Sequence, residues 1–512
     1  MRYVSTRGGG EEEGIEEALR RGYARDGGLY VPKTIRELEE GELERLSRLQ
    51  FRELCTEILL WFASEELSEE EVRGVVQSCF EGFSSEEIIP LTMLSGRGAP
   101  EDGSVLVAEL FHGPSMSFKD FGQQVLCKLL NMFAQKKKNK ISILVSTTGD
   151  TGPAAIMAAR GLEALKVVVT YPHGQISKFQ ELQMTTEDAN NVFVYSFQGG
   201  GDDMDAPIKT LSTDVSFQER HGLAAVNSIN IGRVIMQSVH YFWSYFRAVE
   251  KLKLPVGSSV DFALPCGALG NAAAGLLAKK MGLPIRRIVC GTNMNDIFHR
   301  AISSGDFSRH DKMIRTLSEA INIQVPYNFE RIIYFLSGGD HKLVKDLMGR
   351  MSETGRIQVE GELLQSLQEN FASQRVTDEE MLEASQAQRS CMLEEDYLMD
   401  PHTAVGYAAI RRSVLLWRAP GGACKDGNVV LLATAHPCKF EDAITEVGRG
   451  GRERGGWRRS DLMWVRGRRR GGREAVAQGG GRGSEGDLCR RWERNGWRRT
   501  KRECDRRASR SS

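Results

Sequence analysis

Apolar positions change period along this chain, and the change divides it. Over residues 1 to about 100, apolar side chains recur at 3.6-type spacing among Glu, Leu and Arg, most clearly at 35–46 and 51–62, which predicts a mainly helical lobe. The turn-forming Asp26, Gly27 and Gly28 precede those helices, and Pro32 closes the stretch. Between residues 105 and 435 short β-rich runs alternate with helical stretches. Strands are predicted at 105–111, 141–146, 167–171, 192–197, 260–264, 285–290 and 429–433. Such alternation is the mark of βαβ units around mainly parallel sheets. Residues 301–398 read as helical and supply no motif. The pattern therefore predicts an α/β chain: a helical lobe at 1–100, α/β domains at 101–225 and 226–447, and a tail at 448–512.

Composition changes the picture only at the C-terminus. The 512 residues have zero formal net charge, but residues 448–512 hold 21 Lys and Arg against 8 Asp and Glu, a charge of +13, so residues 1–447 carry −13. The tail has 14 Gly, four Trp and no apolar periodicity, which predicts disorder. A G-rich reading frame encodes those residue types, as an alternative end would. A nucleic-acid contact is the rival reading, since interleaved Arg and aromatics neutralise phosphates and stack on bases. No apolar run reaches the roughly 18 residues that span a bilayer, and the acidic Glu11, Glu12 and Glu13 suit no transit peptide. A cytoplasmic protein without membrane contact is expected. Ten cysteines without a C-x-x-C pair signal neither a disulfide framework nor a zinc site, and no spacing suggests another metal.

Four segments carry candidate chemistry. Lys119, in HGPSMSFKDFGQQ (112–124), follows a turn and opens a helical stretch among aromatic neighbours. Such a lysine is ordinarily a solvated surface group. Held in an apolar site it has a lowered pKa and becomes a nucleophilic amine able to form a Schiff base. STTGDTGPAA (146–155) follows a strand and offers free N–H groups to an anion, or is simply a capped strand-to-helix turn. LPCGALGNAAAG (264–275) opens a small-residue helix where Gly267, Gly270 and Asn271 let backbone close on a phosphate. TAHPCKF (434–440) puts Thr434 at the end of a predicted parallel strand, the rim where open α/β sheets bind ligands. His112, His402 and His436 pair with no nucleophile or metal in the pattern and read as structural.

Together these segments, with YVSTRGG (3–9), DGGLYVP (26–32), GDDMDAPIK (201–209), NSINIGRVIMQ (227–237) and DPHTAVG (400–406), resemble the threonine synthase family, nearest its vertebrate threonine synthase-like 2 branch. The resemblance covers residues 1 to about 447. It implies the tryptophan-synthase-β fold (fold type II), pyridoxal 5'-phosphate as cofactor, and a small phosphorylated amino acid as substrate for a monomer or homodimer. Carried over, it makes Lys119 the Schiff-base lysine and proton shuttle. Gly267, Ala268, Leu269, Gly270 and Asn271 become the cofactor-phosphate cradle, and Thr434 the partner of the pyridine nitrogen. It assigns Thr147, Thr148, Gly149, Asp150 and Thr151 to the substrate carboxylate, and Asn230 and Arg233 to the substrate phosphate. The implied activity is phosphate elimination from O-phosphohomoserine or O-phosphothreonine, giving 2-oxobutyrate and ammonia. Threonine formation is the alternative. A third is an isoform acting as a binding protein, because after Phe440 the family continues as ordered helix where this chain enters its Arg/Gly/Trp tail.

Overall fold

The computed structural model describes residues 1–94, 105–199, 208, 210, 211, 214–389, 397–417, 428–441 and 443–445. The tail at 448–512 lies outside them.

Two sheets organise the described residues. The smaller joins β5 (Ile141–Ser146), β6 (Leu165–Pro172), β7 (Val192–Phe197) and β8 (Leu223–Ala225) in the order β7-β6-β5-β8, all parallel. The larger runs β13-β10-β9-β14-β4-β3, built from β3 (Leu91–Met93), β4 (Val105–Glu109), β9 (Val260–Pro265), β10 (Ile285–Thr292), β13 (Phe371–Arg375) and β14 (Val429–Ala433). Only its β3–β4 edge is antiparallel. Short two-stranded pairs, β1 (Tyr3–Ser5) with β2 (Tyr30–Pro32) and β11 (Asp306–Ser308) with β12 (Arg356–Gln358), lie outside these sheets.

Helices cover both faces of the central strands, so β14 reads as an unbroken apolar run and β9 departs from one only at Asp261, which is paired with Arg286. Every residue of β9 and β14 is buried. Helix Ile231–Lys251 is enclosed from Ile231 to Phe246, packing on helices Lys119–Lys136 and Gly270–Lys280. Its enclosed polar residues, Arg233, Gln237, Ser238, His240 and Ser244, are therefore taken out of water along with the apolar ones. Among the described residues no helix is long and apolar enough to cross a membrane.

Three expectations need correction. The sequence places a strand at 105–111 in a domain ending at 225; the strand ends at Glu109, and its ladder to β14 puts it in the larger sheet. Within 301–398, β13 is a true strand on β10; its partly exposed edge position gives it no continuous apolar run. The helix anticipated at 35–46 forms only as Glu42–Ser47, because Gly41, at φ 78°, starts it in the left-handed region.

Candidate active site

The anticipated motifs follow the carboxyl ends of parallel strands. β5 delivers the 147–150 loop, β9 the 266–269 turn, β14 Thr434, and β4 the turn leading to Lys119. They border one cleft of about 800 Å³, and Lys119, Thr148, Asn271 and Thr434 all line it. Such a crevice beyond the carboxyl ends of strands is where open α/β sheets bind ligands.

Backbone bonds tie Lys119 to Thr434 across sequence. Phe118 N–H donates to Thr434 O at 2.8 Å, His436 N–H donates to Met116 O at 3.0 Å, and Ser117 bridges Ala435. The Lys119 side chain, part-buried at the foot of its helix, makes no hydrogen bond or ion pair with a described residue. Burial lowers its ammonium to a pKa of about 8; Asp150 opposes that shift, while Arg233 and Lys439 add to it. An amine of that pKa is partly neutral, and so nucleophilic, at physiological pH.

The 266–272 turn is built for an anion. Leu269, a non-glycine residue at φ 60°, caps helix Gly270–Lys280 in the left-handed region, an unfavourable backbone state typical of ligand clamps. Among the described residues, none of the N–H groups from Gly267 to Ala272 finds an acceptor. Asn271 is oriented from behind: His240 Nε2 lies 2.9 Å from its Oδ1, and Tyr241 Oη donates to its carbonyl at 2.9 Å. Its Nδ2 is buried without a partner. Burial lowers His240 to a pKa of about 4 against a weaker pull from Asn271, so the ring is neutral and donates. Unpaired N–H groups, an orphaned amide and a tuned amine fit a phosphorylated aldehyde such as pyridoxal phosphate.

In the 147–151 loop, Thr147 Oγ1 accepts from the N–H groups of Gly149 at 3.1 Å and Gly152 at 2.9 Å, shaping the turn. Gly149, at φ 134°, has no room for a side chain, since a Cβ would stand 2.4 Å from Gln180 Nε2. Asp150 Oδ1 accepts from Gln180 at 3.0 Å and pairs with Lys439 at 2.7 Å. Burial would raise its carboxyl, but Lys439 and Lys119 outweigh that and hold it well below the usual carboxylate range.

The two residues expected at a substrate phosphate part company. Asn230 is fully buried: its Oδ1 caps helix Ile231–Lys251 through Gly232 N–H at 3.0 Å, and its amide donates to Leu19 O and Ala225 O at 2.6 and 2.7 Å. Both its donors are spent on backbone, so its assignment to the phosphate is withdrawn. Arg233 is different. It is only 2 % exposed, donates from Nη1 to Val226 O at 3.0 Å, leaves Nε unpartnered and forms no ion pair with a described residue. Burial lowers its pKa to about 10, with Cys127 and Asp120 opposing weakly.

Other cleft residues escaped sequence reasoning. Asn227, whose Oδ1 is buried and unpartnered, and Ser228 line the cleft within the same NSINIGR segment. Arg331 holds that segment, donating to Ser228 O at 3.2 Å, to Ile229 O at 2.5 Å and to Tyr30 O at 3.0 Å. His402 is engaged at both nitrogens, by Asp400 at 2.8 Å and by Ala320 N–H at 3.0 Å, which makes it an organising residue. His112 contacts Glu109 at 2.7 Å, and His436 Nδ1 accepts from Cys438 N–H at 3.2 Å. Among the described residues no group of His, Cys, Asp and Glu could hold a metal ion.

Known proteins are similar to this chain in sequence and in fold. The sequence profile of the family described as threonine synthase N terminus matches residues 2–80, and that of the pyridoxal-phosphate dependent enzymes matches residues 86–435. Threonine synthase-like 2 of Rattus norvegicus is 38% identical over 449 residues, covering 88% of this chain and 89% of its own. The crystal structure of yeast threonine synthase superposes with a TM-score of 0.80 at 33% identity, covering 91% of this chain and 94% of its own. The pyridoxal-phosphate-bound threonine synthase of Brucella melitensis gives 0.77 at 32% identity, covering 87% and 91%. The chain has the fold type II architecture, belongs to the threonine synthase family and is a pyridoxal-phosphate-dependent enzyme.

Proposed function

We propose that this enzyme is a phospho-lyase that converts O-phosphothreonine or O-phosphohomoserine, with one water, into 2-oxobutyrate, ammonia and phosphate. The observation that carries the reading is Arg233, a buried guanidinium on the cleft wall that forms no ion pair with a described carboxylate and feels Asp120 only weakly. A cation taken out of water without a counterion is costly. A substrate phosphate dianion would relieve that cost, in the bidentate geometry guanidinium favours. Asn227 and Ser228 beside it add a polar contact surface.

Lys119 would anchor the cofactor aldehyde and then carry the proton from substrate Cα. The free N–H groups of 267–271 and Asn271 Nδ2 would hold the cofactor phosphate, and the Thr434 hydroxyl would face the ring nitrogen and keep it largely uncharged. The bound cofactor supplies the electron sink for the pair left at Cα. Thr147, Thr148, Asp150 and Thr151 would take the α-carboxylate through hydroxyls and the backbone N–H groups the loop leaves free at the foot of helix Thr151–Ala159, while Gly149, whose N–H is held by Thr147 Oγ1, would shape the loop. Phosphate leaves from Cβ of O-phosphothreonine directly, and from Cγ of O-phosphohomoserine once a Cβ proton has also been removed.

The test is product analysis by NMR on purified holoprotein given each phosphorylated amino acid. 2-Oxobutyrate and phosphate in equal amounts support elimination. Threonine as the product from O-phosphohomoserine would reject it in favour of threonine synthesis, the activity named for the yeast and Brucella relatives.

A further inference from the structure

Lys439 belongs to TAHPCKF, yet it neither lines the cleft nor touches solvent. Its ammonium lies 2.7 Å from Asp150 Oδ1 and donates to Ser115 O at 2.9 Å. Its carbonyl accepts from Ser177 Oγ at 2.8 Å, at the start of helix Lys178–Thr185, which sends Gln180 to Asp150 and Gln183 to Ser115 O. One buried side chain thus joins three segments: the turn before Lys119, the loop after β5, and the loop after β14. Asp150 itself faces the cleft, in the loop assigned to a substrate carboxylate. A bare carboxylate there would repel that substrate.

We propose that Lys439 is a positioning residue that neutralises Asp150 and pins the 147–151 loop to the Lys119 turn, so that this loop can accept an α-carboxylate. The inference rests on the carboxylate role given to that loop under the proposed function. It does not depend on the phosphate. Substrate never meets Lys439; the residue acts through Asp150.

Two variants separate charge from packing. In Lys439→Met the methylene stem remains and Asp150 is left as an unpaired buried anion; in Lys439→Met/Asp150→Asn both charges are gone. The probe is L-2-aminobutyrate, which carries the α-carboxylate and no phosphate, titrated into holoprotein and followed by the visible absorbance of the bound cofactor. Lys439→Met should weaken its binding roughly ten- to thirtyfold, the scale of charge repulsion over roughly 8–12 Å at an effective dielectric near 20. The double variant keeps the Asp150 backbone N–H, the only donor that residue offers a carboxylate, and should return to within about threefold of wild type, because the two changes are coupled. If Lys439→Met does not fold, the double variant, free of an unpaired buried charge, should still fold and bind. Binding by folded Lys439→Met within about threefold of wild type overturns the proposal, as does a double variant that binds no better than the single one or does not fold. Loss of the phospho-lyase reading would show instead in the products from phosphorylated substrates, with L-2-aminobutyrate binding unaffected.

Discussion

Replacing Arg233 with methionine should make the apoprotein more stable while disabling its use of phosphorylated substrates. Burial has lowered the guanidinium from its ordinary 12.5 to about 10. At about 1.36 kcal/mol per unit, the fold disfavours this cation by about 3 kcal/mol. The sign follows from linkage: for a base whose pKa is depressed by folding, the penalty is fully present below the folded value and disappears only above the unfolded one. Methionine removes that penalty, keeps most of the stem packing, and forfeits the bond from Nη1 to Val226 O, worth about 1 kcal/mol. A net gain of roughly 1–2 kcal/mol remains, readable as a higher denaturation midpoint of apoprotein. Losing a buried partner for phosphate should cost about 2–5 kcal/mol in transition-state binding, or roughly thirtyfold to several thousandfold in kcat/KM. Turnover of unphosphorylated L-threonine, which makes no use of this cation, is the control. The reasoning is refuted if Arg233→Met destabilises apoprotein by several kcal/mol, or if both substrates suffer equally.

Gly122→Ala should mimic this loss through sterics, since a Cβ there would stand 2.7 Å from Arg233 Nε and 2.8 Å from its Cδ. Overpacking of about 1–3 kcal/mol and a raised KM for phosphorylated substrate are expected, and an unchanged KM would show that Arg233 is not the grip. With Lys119 at a pKa of about 8, recombination of apoprotein with pyridoxal phosphate should accelerate with pH about a midpoint near 8; a midpoint near 10 would contradict the apolar setting of the amine. Asp120, raised by burial to about 7 against opposition from Ser115, binds its proton more tightly folded than unfolded. Its contribution to stability should therefore fall as pH rises from about 4 to 7, and Asp120→Asn should flatten that part of the profile in pH-dependent denaturation.

The strands buried on both faces are plain in sequence: VVLLA is apolar throughout and VDFALP is apolar but for Asp261, whose charge is met by Arg286, because helices pack on each side. β8, three residues long, and β13, a partly polar edge strand, lack any such run. The placement of β4 beside β14 joins residues more than 300 positions apart, and no local pattern encodes that pairing. The site divides the same way. Glycine turns after strands announced the phosphate cradle and the 147–151 loop. Asn230 and Arg233 sit three residues apart in one motif, and only the positions of Leu19 O and Ala225 O reveal that the first is consumed as a cap. Lys439 reads as an ordinary cation until Asp150 is brought to it from the other sheet.

The central claim is that Lys119 is the amine that holds the cofactor, with Lys439 close by as a structural cation. Borohydride fixation of the cofactor on native holoprotein, followed by proteolysis and mass spectrometry, tests it directly. The pyridoxyl group should be found on Lys119 alone, and the Lys119→Ala protein should show none and lack visible absorbance. Label on Lys439, or on a surface lysine with Lys119 unmodified, would contradict the account.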